Sequence, residues 1–582
     1  MKKRTAWVLV SAVVAVSLGA AAVGAVALLL RSTRPGTPFT PAHSYLALNL
    51  SGDLPEEPPS AELPAFLERR PASMRTLVES LDRAATDPRI NAVVLRTAGM
   101  DGAGFGKVQE LRDALLRFRK SGKAAYAHLE FAGNKEFYLA SACDKIYAVP
   151  TALLDVTGLA AEVTFYKGTF DKLGVQAQFV GVGKYKNAPN QYTEKGFTPP
   201  HREQMEGLLD SLFDQYVKAL AESRHKTEAE VRALVDDGPY DGRRALEVGL
   251  VDELVYADEL DERLKGAAKV TPGRYVKSAR GNLGFDSRPK IALVYAVGAI
   301  IPGEGGEGPF GGSYAGSDTV AKALRQARED SSIRAIVLRV DSPGGSGTAS
   351  DVIWREVELA RKEKPVVVSM GDMAASGGYY IAMGADEIVA QPGTITGSIG
   401  VFGGKFSLRG LYDKVGMTQE TVLRGKNAAL FSEARPWDAA EQAKVQALMV
   451  AFYQDFVDKA ARGRNKKPEE IHAVAQGRVW TGQEALERGL VDKLGGFDVA
   501  LEAAKFRAKI GRGQEVSLVV LPERKGWFEL LMERQEEEAE GGSKAAALLR
   551  ALPSDVRSLL AAAVALQARG PMALLPFDLT VR

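Results

Sequence analysis

Apolar residues fill the chain from Ala6 to Leu30 without a charge, and the only polar interruptions are Ser11 and Ser17. At ~1.5 Å per residue, a helix of this length spans a ~30 Å hydrocarbon core. Lys2, Lys3 and Arg4 precede the run and outweigh Arg31 and Arg34 beyond it. The positive-inside rule then keeps the N-terminus in the cytoplasm and places the rest of the chain outside. A cleaved signal peptide has a shorter apolar region of about 7–15 residues, and Leu28-Leu29-Leu30-Arg31 is a poor small-residue cleavage site. The expectation is an uncleaved anchor over residues 1–35, followed by a proline-rich tether from Arg34 to Pro41.

Past the anchor the pattern changes to short apolar runs separated by stretches with helical spacing. Ile291–Val297, Ala335–Val340 and Pro365–Ser369 are β-branched and apolar, whereas Thr319–Arg328 and Thr348–Lys362 repeat their apolar positions every three or four residues. Such alternation predicts right-handed βαβ units and a mainly parallel sheet. The pattern also occurs twice. Ile90-Asn-Ala-Val-Val-Leu-Arg96 matches Ile333-Arg-Ala-Ile-Val-Leu-Arg339, and Asp171-Lys-Leu-Gly174 matches Asp413-Lys-Val-Gly416. Ala245-Leu-Glu-Val-Gly-Leu-Val-Asp252 matches Ala485-Leu-Glu-Arg-Gly-Leu-Val-Asp492. A nearly constant separation of about 242 residues means tandem domains rather than a solenoid, whose repeats run to about 20–50 residues. The reading is an N-terminal repeat over residues 43–270, a C-terminal repeat over 288–508 and an extension over 509–582. Long helices at His201–Arg224 and Glu441–Arg462 match each other, Thr271–Pro289 reads as the linker, and the repeat is lost after about Arg507.

Composition narrows the chemistry. Lys and Arg number 75 against 73 Asp and Glu, a net charge of +2 that offers nucleic acid no basic field. One cysteine, Cys143, precludes an intrachain disulfide or a multi-cysteine metal site, and five scattered histidines argue against a histidine-rich one. Neither metal nor cofactor is expected.

The two copies differ where chemistry could be carried. The second has Asp341-Ser-Pro-Gly-Gly-Ser-Gly347 after a strand, where glycines can present backbone N–H groups to a ligand; the first lacks the Pro-Gly-Gly. The second also has Gly371-Asp-Met-Ala-Ala-Ser-Gly-Gly378 between a strand and a helix, where the first has Asn134 opposite Ser376 and Lys135 opposite Gly377. A serine there suits a nucleophile, because the helix dipole favours developing negative charge, and it equally suits a helix N-cap. No histidine lies between Ser376 and His472 to serve as its base. The first copy instead offers Gly183-Lys-Tyr-Lys-Asn187, whereas the second has Arg424-Gly-Lys-Asn-Ala428 and loses a lysine opposite Lys186. Lys184 and Lys186 are both also readable as a solvated pair.

Together, Asp341-Ser-Pro-Gly-Gly345, Asp372-Met-Ala-Ala-Ser-Gly-Gly-Tyr379, Thr396-Gly-Ser-Ile-Gly-Val401 and Gly183-Lys-Tyr-Lys186 resemble the signal peptide peptidase A (protease IV) family in its long, duplicated, anchored form. The resemblance implies an α/β chain of two tandem Clp/crotonase-like repeats behind a transmembrane helix, assembled as a homotetramer. It implies a Ser/Lys dyad with Ser376 as nucleophile and Lys186 as general base, Lys186 being favoured over Lys184 by the fit of its Lys-Asn step. Ser398 would orient the amine, and the backbone N–H groups of Gly377 and of the Gly344-Gly345 turn would form the oxyanion hole. The implied substrates are apolar peptides, cleaved signal peptides among them, at the outer face of the cytoplasmic membrane. A lysine base must be neutral, so its ordinary pKa of about 10.4 has to fall by roughly three, which is about 4 kcal/mol of differential desolvation. Two other readings compete: a crotonase-type acyl-CoA enzyme, which would need a carboxylate acid/base, and an inactive membrane scaffold.

Overall fold

The computed structural model describes residues 39–57, 71–100, 102–278, 287–307, 312–522, 571–574 and 580–581. The apolar run 6–30, the acidic run 536–540 and the apolar stretch 556–566 lie outside them. Among the described residues no helix is long and apolar enough to cross a membrane.

Each repeat is built on one largely parallel sheet. In the first, the order is Tyr240–Asp241, Lys145–Leu154, Ala124–Ala132, Ile90–Ala98, Ser44–Ser51 and Ala268–Val270. In the second it is Val479–Thr481, Ile395–Gly397, Val366–Ala375, Ile333–Ser342, Lys290–Val297 and Ser517–Leu521. The central pairs share even a local irregularity, which falls between Ser44 and Tyr45 in one copy and between Lys290 and Ile291 in the other. Central strands bury both faces, which is why they read as continuous apolar runs rather than alternating ones. In Lys290–Val297, Ala292, Val294 and Ala296 pack into one core cluster while Ile291, Leu293 and Tyr295 pack into another.

The helices at helical spacing form close to where the pattern put them, at Ser317–Glu329 and Gly347–Arg361. The matched long helices run over Pro199–Arg224 and Ala439–Gly463. Two expectations change. Within the supposed linker, Pro272–Ser278 is a helix whose buried Tyr275 donates a 2.8 Å hydrogen bond to Asp87, so it packs on the first repeat. The repeat also continues past Arg507, because Ser517–Leu521 pairs in parallel with Lys290–Val297 just as Ala268–Val270 pairs with Ser44–Ser51.

A third sheet belongs to neither repeat alone. Its order is Gly306–Glu307, Ser313–Gly316, Ala299–Ile301, Gly344–Ser346, Met572–Leu574, Val401–Ser407 and Gln176–Val182. Gln176–Val182 of the first repeat runs antiparallel to Val401–Ser407 of the second over seven residue pairs, from Val182↔Val401 to Gln176↔Ser407. Buried ions fix the same junction. Arg339 of the second repeat donates to Glu56 (2.8 and 2.9 Å) and Glu110 (2.7 Å), all three nearly inaccessible. Lys107 lies 2.8 Å from Asp341 and 3.6 Å from Asp372, whose carboxylate also accepts the Gly104 and Lys107 backbone N–H groups. Thus the aspartates of both glycine-rich motifs anchor the first repeat, leaving the residues after them to line the junction.

Candidate active site

The strand Val366–Ala375 runs straight into Ser376, whose backbone sits at φ 55°, ψ −110°. Few non-glycine residues adopt such a conformation, and strain of this kind gathers at functional positions. It is held in place because Ser376 N–H donates to the Gly397 carbonyl (2.9 Å) and the Ser376 carbonyl accepts from Tyr380 N–H (2.8 Å). The side chain makes no capping hydrogen bond to the helix Gly377–Ala382, which leaves the N-cap alternative unsupported. That helix is only six residues long, so a dipole argument has little to work with.

Lys186 reaches the serine from the other repeat. The strand Gln176–Val182, locked onto Val401–Ser407, delivers the turn Gly183-Lys-Tyr-Lys186 to the second repeat's segment Gln476–Arg478. Tyr185 N–H donates to the Gln476 carbonyl (2.8 Å), Gly477 N–H to Ile399 (2.8 Å) and Ser398 N–H to Arg478 (2.7 Å). Glycine is required on this shelf. A Cβ on Gly183 (φ +114°) would lie 2.4 Å from the Gln476 carbonyl, and one on Gly477 (φ +78°) 2.6 Å from the Lys186 backbone. Gln476, Gly477 and Gly400, whose added Cβ would sit 3.2 Å from Lys186 Cδ, form the bed of the lysine. Gly400 lies within the Thr396–Val401 motif, whereas no motif in the sequence marked Gln476 and Gly477.

The result brings the three side chains together. Lys186 Nζ lies 2.7 Å from Ser376 Oγ, 3.0 Å from Ser398 Oγ and 3.4 Å from the Ser398 carbonyl oxygen. Ser376 and Ser398 are wholly inaccessible and Lys186 is 6% exposed. Burial alone pushes the Lys186 pKa well below its ordinary value. Lys184 faces the other way. Its amine is 3.0 Å from Tyr185 Oη and 3.6 Å from Glu203 on the exposed surface, and the Tyr185 hydrogen bond raises its pKa. The geometry thus separates the two lysines that the sequence left side by side. Of the backbone groups, Gly377 directly follows Ser376, while Gly344 N–H donates to Ser342 Oγ at 3.1 Å and is already engaged. Gly345 pairs with Ile300 on one side and Ala573 on the other.

The equivalent place in the first repeat is plugged. Asn134, opposite Ser376, exchanges hydrogen bonds with Gly158 (2.8 and 3.2 Å), and Lys135, opposite Gly377, is buried with its amine 2.8 Å from the Ala103 carbonyl. That half of the duplication has kept the fold and filled the site.

Comparison with known proteins agrees with a duplicated domain. Residues 117–271 and 358–511 each match Peptidase family S49. The serine protease SPPA, chloroplastic, of Arabidopsis thaliana is 38% identical over 460 residues, covering 77% of this chain and 68% of that protein. Protease 4 of Salmonella typhi is 34% identical over 495 residues, covering 81% and 79%. Among solved structures, a ClpP1 point mutant from Listeria monocytogenes aligns over 35% of this chain and 92% of its own, at 15% identity and a TM-score of 0.23. With both repeats matched and relatives aligned along most of its length, the chain belongs to peptidase family S49 and is a peptidase of the serine protease SPPA and Protease 4 kind.

Proposed function

We propose that the peptidase works through a Ser/Lys dyad assembled between the repeats, with Ser376 as nucleophile and Lys186 as general base. The observation that carries this reading is the 2.7 Å separation of Lys186 Nζ and Ser376 Oγ in a buried setting that favours the neutral amine. A neutral amine has two hydrogens and one lone pair. Ser398 Oγ and the Ser398 carbonyl are placed to take the two hydrogens, which turns the lone pair towards the Ser376 hydroxyl. Lys186 then accepts the Ser376 proton as Oγ attacks the peptide carbonyl, and returns it to the leaving amine. Water activated by the same amine hydrolyses the acyl-enzyme. The Gly377 N–H faces the developing oxyanion, and one such donor is worth roughly 10²–10³ in rate. No metal or organic cofactor enters this scheme.

The substrates are apolar peptides, including cleaved signal peptides. The run 6–30 anchors the chain in the cytoplasmic membrane with both repeats on the outer side, and the assembly is a homotetramer. Steady-state hydrolysis of a synthetic signal peptide tests the chemistry. Ser376→Ala and Lys186→Ala should each abolish turnover while circular dichroism stays unchanged, and near wild-type turnover in the lysine variant would refute the dyad.

A further inference from the structure

Three of the seven non-glycine residues with positive φ among the described residues lie about Lys186: Ser376 (55°), Ser398 (51°) and Gln476 (55°). Backbone of this kind persists only where its surroundings over-determine it. Ser376 N–H and Ser398 N–H are both held by main-chain carbonyls, those of Gly397 and Arg478. Gln476 is held differently. Its carbonyl accepts from Tyr185 N–H at 2.8 Å, but its own N–H donates to a side chain, Tyr453 Oη, at 3.3 Å. Tyr453 is 5% exposed on the long helix Ala439–Gly463, and its Oη lies 2.9 Å from His472 Nδ1 on the helix Pro468–Val474. With the imidazole proton on Nε2 the chain of bonds closes, since the phenol then accepts from Gln476 and donates to His472.

The first repeat keeps the same helices without this device. Arg224 and Arg464 stand 240 residues apart, and so do their partners Asp252 and Asp492. At that separation Phe213 is opposite Tyr453, Arg232 opposite His472, and Asp236-Asp237 opposite Gln476-Gly477. Arg232 lies over the Phe213 ring, 5.1 Å from its centre, and pairs with Asp214 at 2.6 Å. Packing at this place therefore asks for an aromatic ring, and the hydroxyl answers to what the second repeat alone has, the shelf under the lysine. We infer, on the Ser376/Lys186 reading above, that Tyr453, oriented by His472, is a positioning residue. It pins Gln476 in its left-handed conformation and so sets where Lys186 Nζ stands relative to Ser376 Oγ. The path runs from the phenol through Gln476 to Tyr185 N–H, one residue before Lys186, and through Gly477, whose backbone lies against that of Lys186.

Tyr453→Phe deletes one oxygen and keeps the ring, and hydrolysis of an apolar reporter peptide by the full chain in detergent micelles, followed across pH, reads the effect. Val457→Ala, at a buried position one turn further along the same helix, is the control for lost stability alone. Without its anchor Gln476 relaxes, the amine drifts and water reaches it. In Tyr453→Phe, kcat should fall by at least about tenfold at unchanged KM, given that a misplacement of about 1 Å costs on the order of 10²-fold. The pH limb of kcat/KM should also move up towards the ordinary lysine range. His472→Leu, at an exposed position, should move both quantities the same way by less, and His472→Gln, which restores an acceptor, should bring them back towards wild type. Val457→Ala should lower the urea midpoint and leave kcat and the limb in place. Wild-type kcat and limb in Tyr453→Phe, beside an inactive Lys186→Ala, overturn the inference and leave the dyad standing. An equal fall in Tyr453→Phe and Val457→Ala with the limb unmoved does the same, since it marks a structural role only. If Tyr453→Phe fails to fold, wild-type kinetics in His472→Leu overturn the inference. A Lys186→Ala variant that still turns over removes the dyad reading and the inference together.

Discussion

Gly477 lies directly against the backbone of Lys186. Its φ of +78° suits glycine, and a Cβ there would stand 2.6 Å from both Lys186 Cα and Lys186 N and 2.7 Å from Lys186 Cβ. Ordinary contact between heavy atoms starts near about 3.5 Å, so in Gly477→Ala the Lys186 backbone has to retreat by about 1 Å. The Nζ–Oγ separation of 2.7 Å would then open past hydrogen-bond range. A misplacement of about 1 Å at a reacting group costs on the order of 10²-fold in rate, or about 2.7 kcal/mol. The strained backbone adds roughly 1–2 kcal/mol of lost stability. The control is Gly425→Ala in the second copy's counterpart of the lysine turn, where φ is +98° but the Cβ would meet open space. It carries the same backbone penalty without displacing the amine. Reporter-peptide kinetics on both variants, with urea unfolding alongside, should show kcat/KM falling about a hundredfold in Gly477→Ala and holding in Gly425→Ala. Equal activities in the two variants, at similar stability, would refute the idea that the Gln476–Gly477 shelf sets the lysine.

Three further outcomes follow from the burial and the charges. The rate constant kcat/KM should rise with pH along a limb below the ordinary lysine range, because the neutral form of Lys186 is active and burial lowers its pKa; a profile flat from pH 5 to 10 would contradict this. Lys186→Met should be inactive yet more stable than wild type at pH 7. The folded pKa is the lowered one, so the unfolded chain binds the extra proton and the penalty on folding persists below the unfolded value near 10.5, vanishing above it; urea midpoints at pH 7 and pH 11 measure the difference. Arg339→Leu should lose about 3–5 kcal/mol by leaving Glu56 and Glu110 buried without their cation, and an unfolding free energy within about 1 kcal/mol of wild type, on the order of a surface pair, would show that the cluster does not hold the junction.

The duplication and the strand–helix alternation were legible in the sequence because they rest on long apolar runs, and Ser376 and the lysine turn stood out as differences between the two copies, whereas Ser398 and the preference for Lys186 came only through the family resemblance. The junction was not. Its strands are short, such as Gly344–Ser346 and Met572–Leu574, and so few residues carry no periodicity. Arg339, Glu56, Glu110 and Lys107 look like solvated charges in sequence, and only the meeting of the repeats buries them against one another. The Pro-Gly-Gly turn reads as a pair of oxyanion donors, whereas Gly344 N–H is taken by Ser342 Oγ, a local bond that composition does not announce. That the Lys186 amine and not that of Lys184 lies against Ser376 depends on a turn held by Tyr185 N–H on the Gln476 carbonyl, a pairing across more than two hundred residues of chain that no local spacing announces.

In the proposed dyad, an amine from one repeat activates a hydroxyl on the other. Labelling with a peptidyl fluorophosphonate, mapped by peptide mass spectrometry, tests it most directly. Modification is expected at Ser376 in wild type and in Lys184→Met, and none in Lys186→Met. Labelling of Ser376 that survives removal of Lys186, or that maps to a different serine, would contradict it.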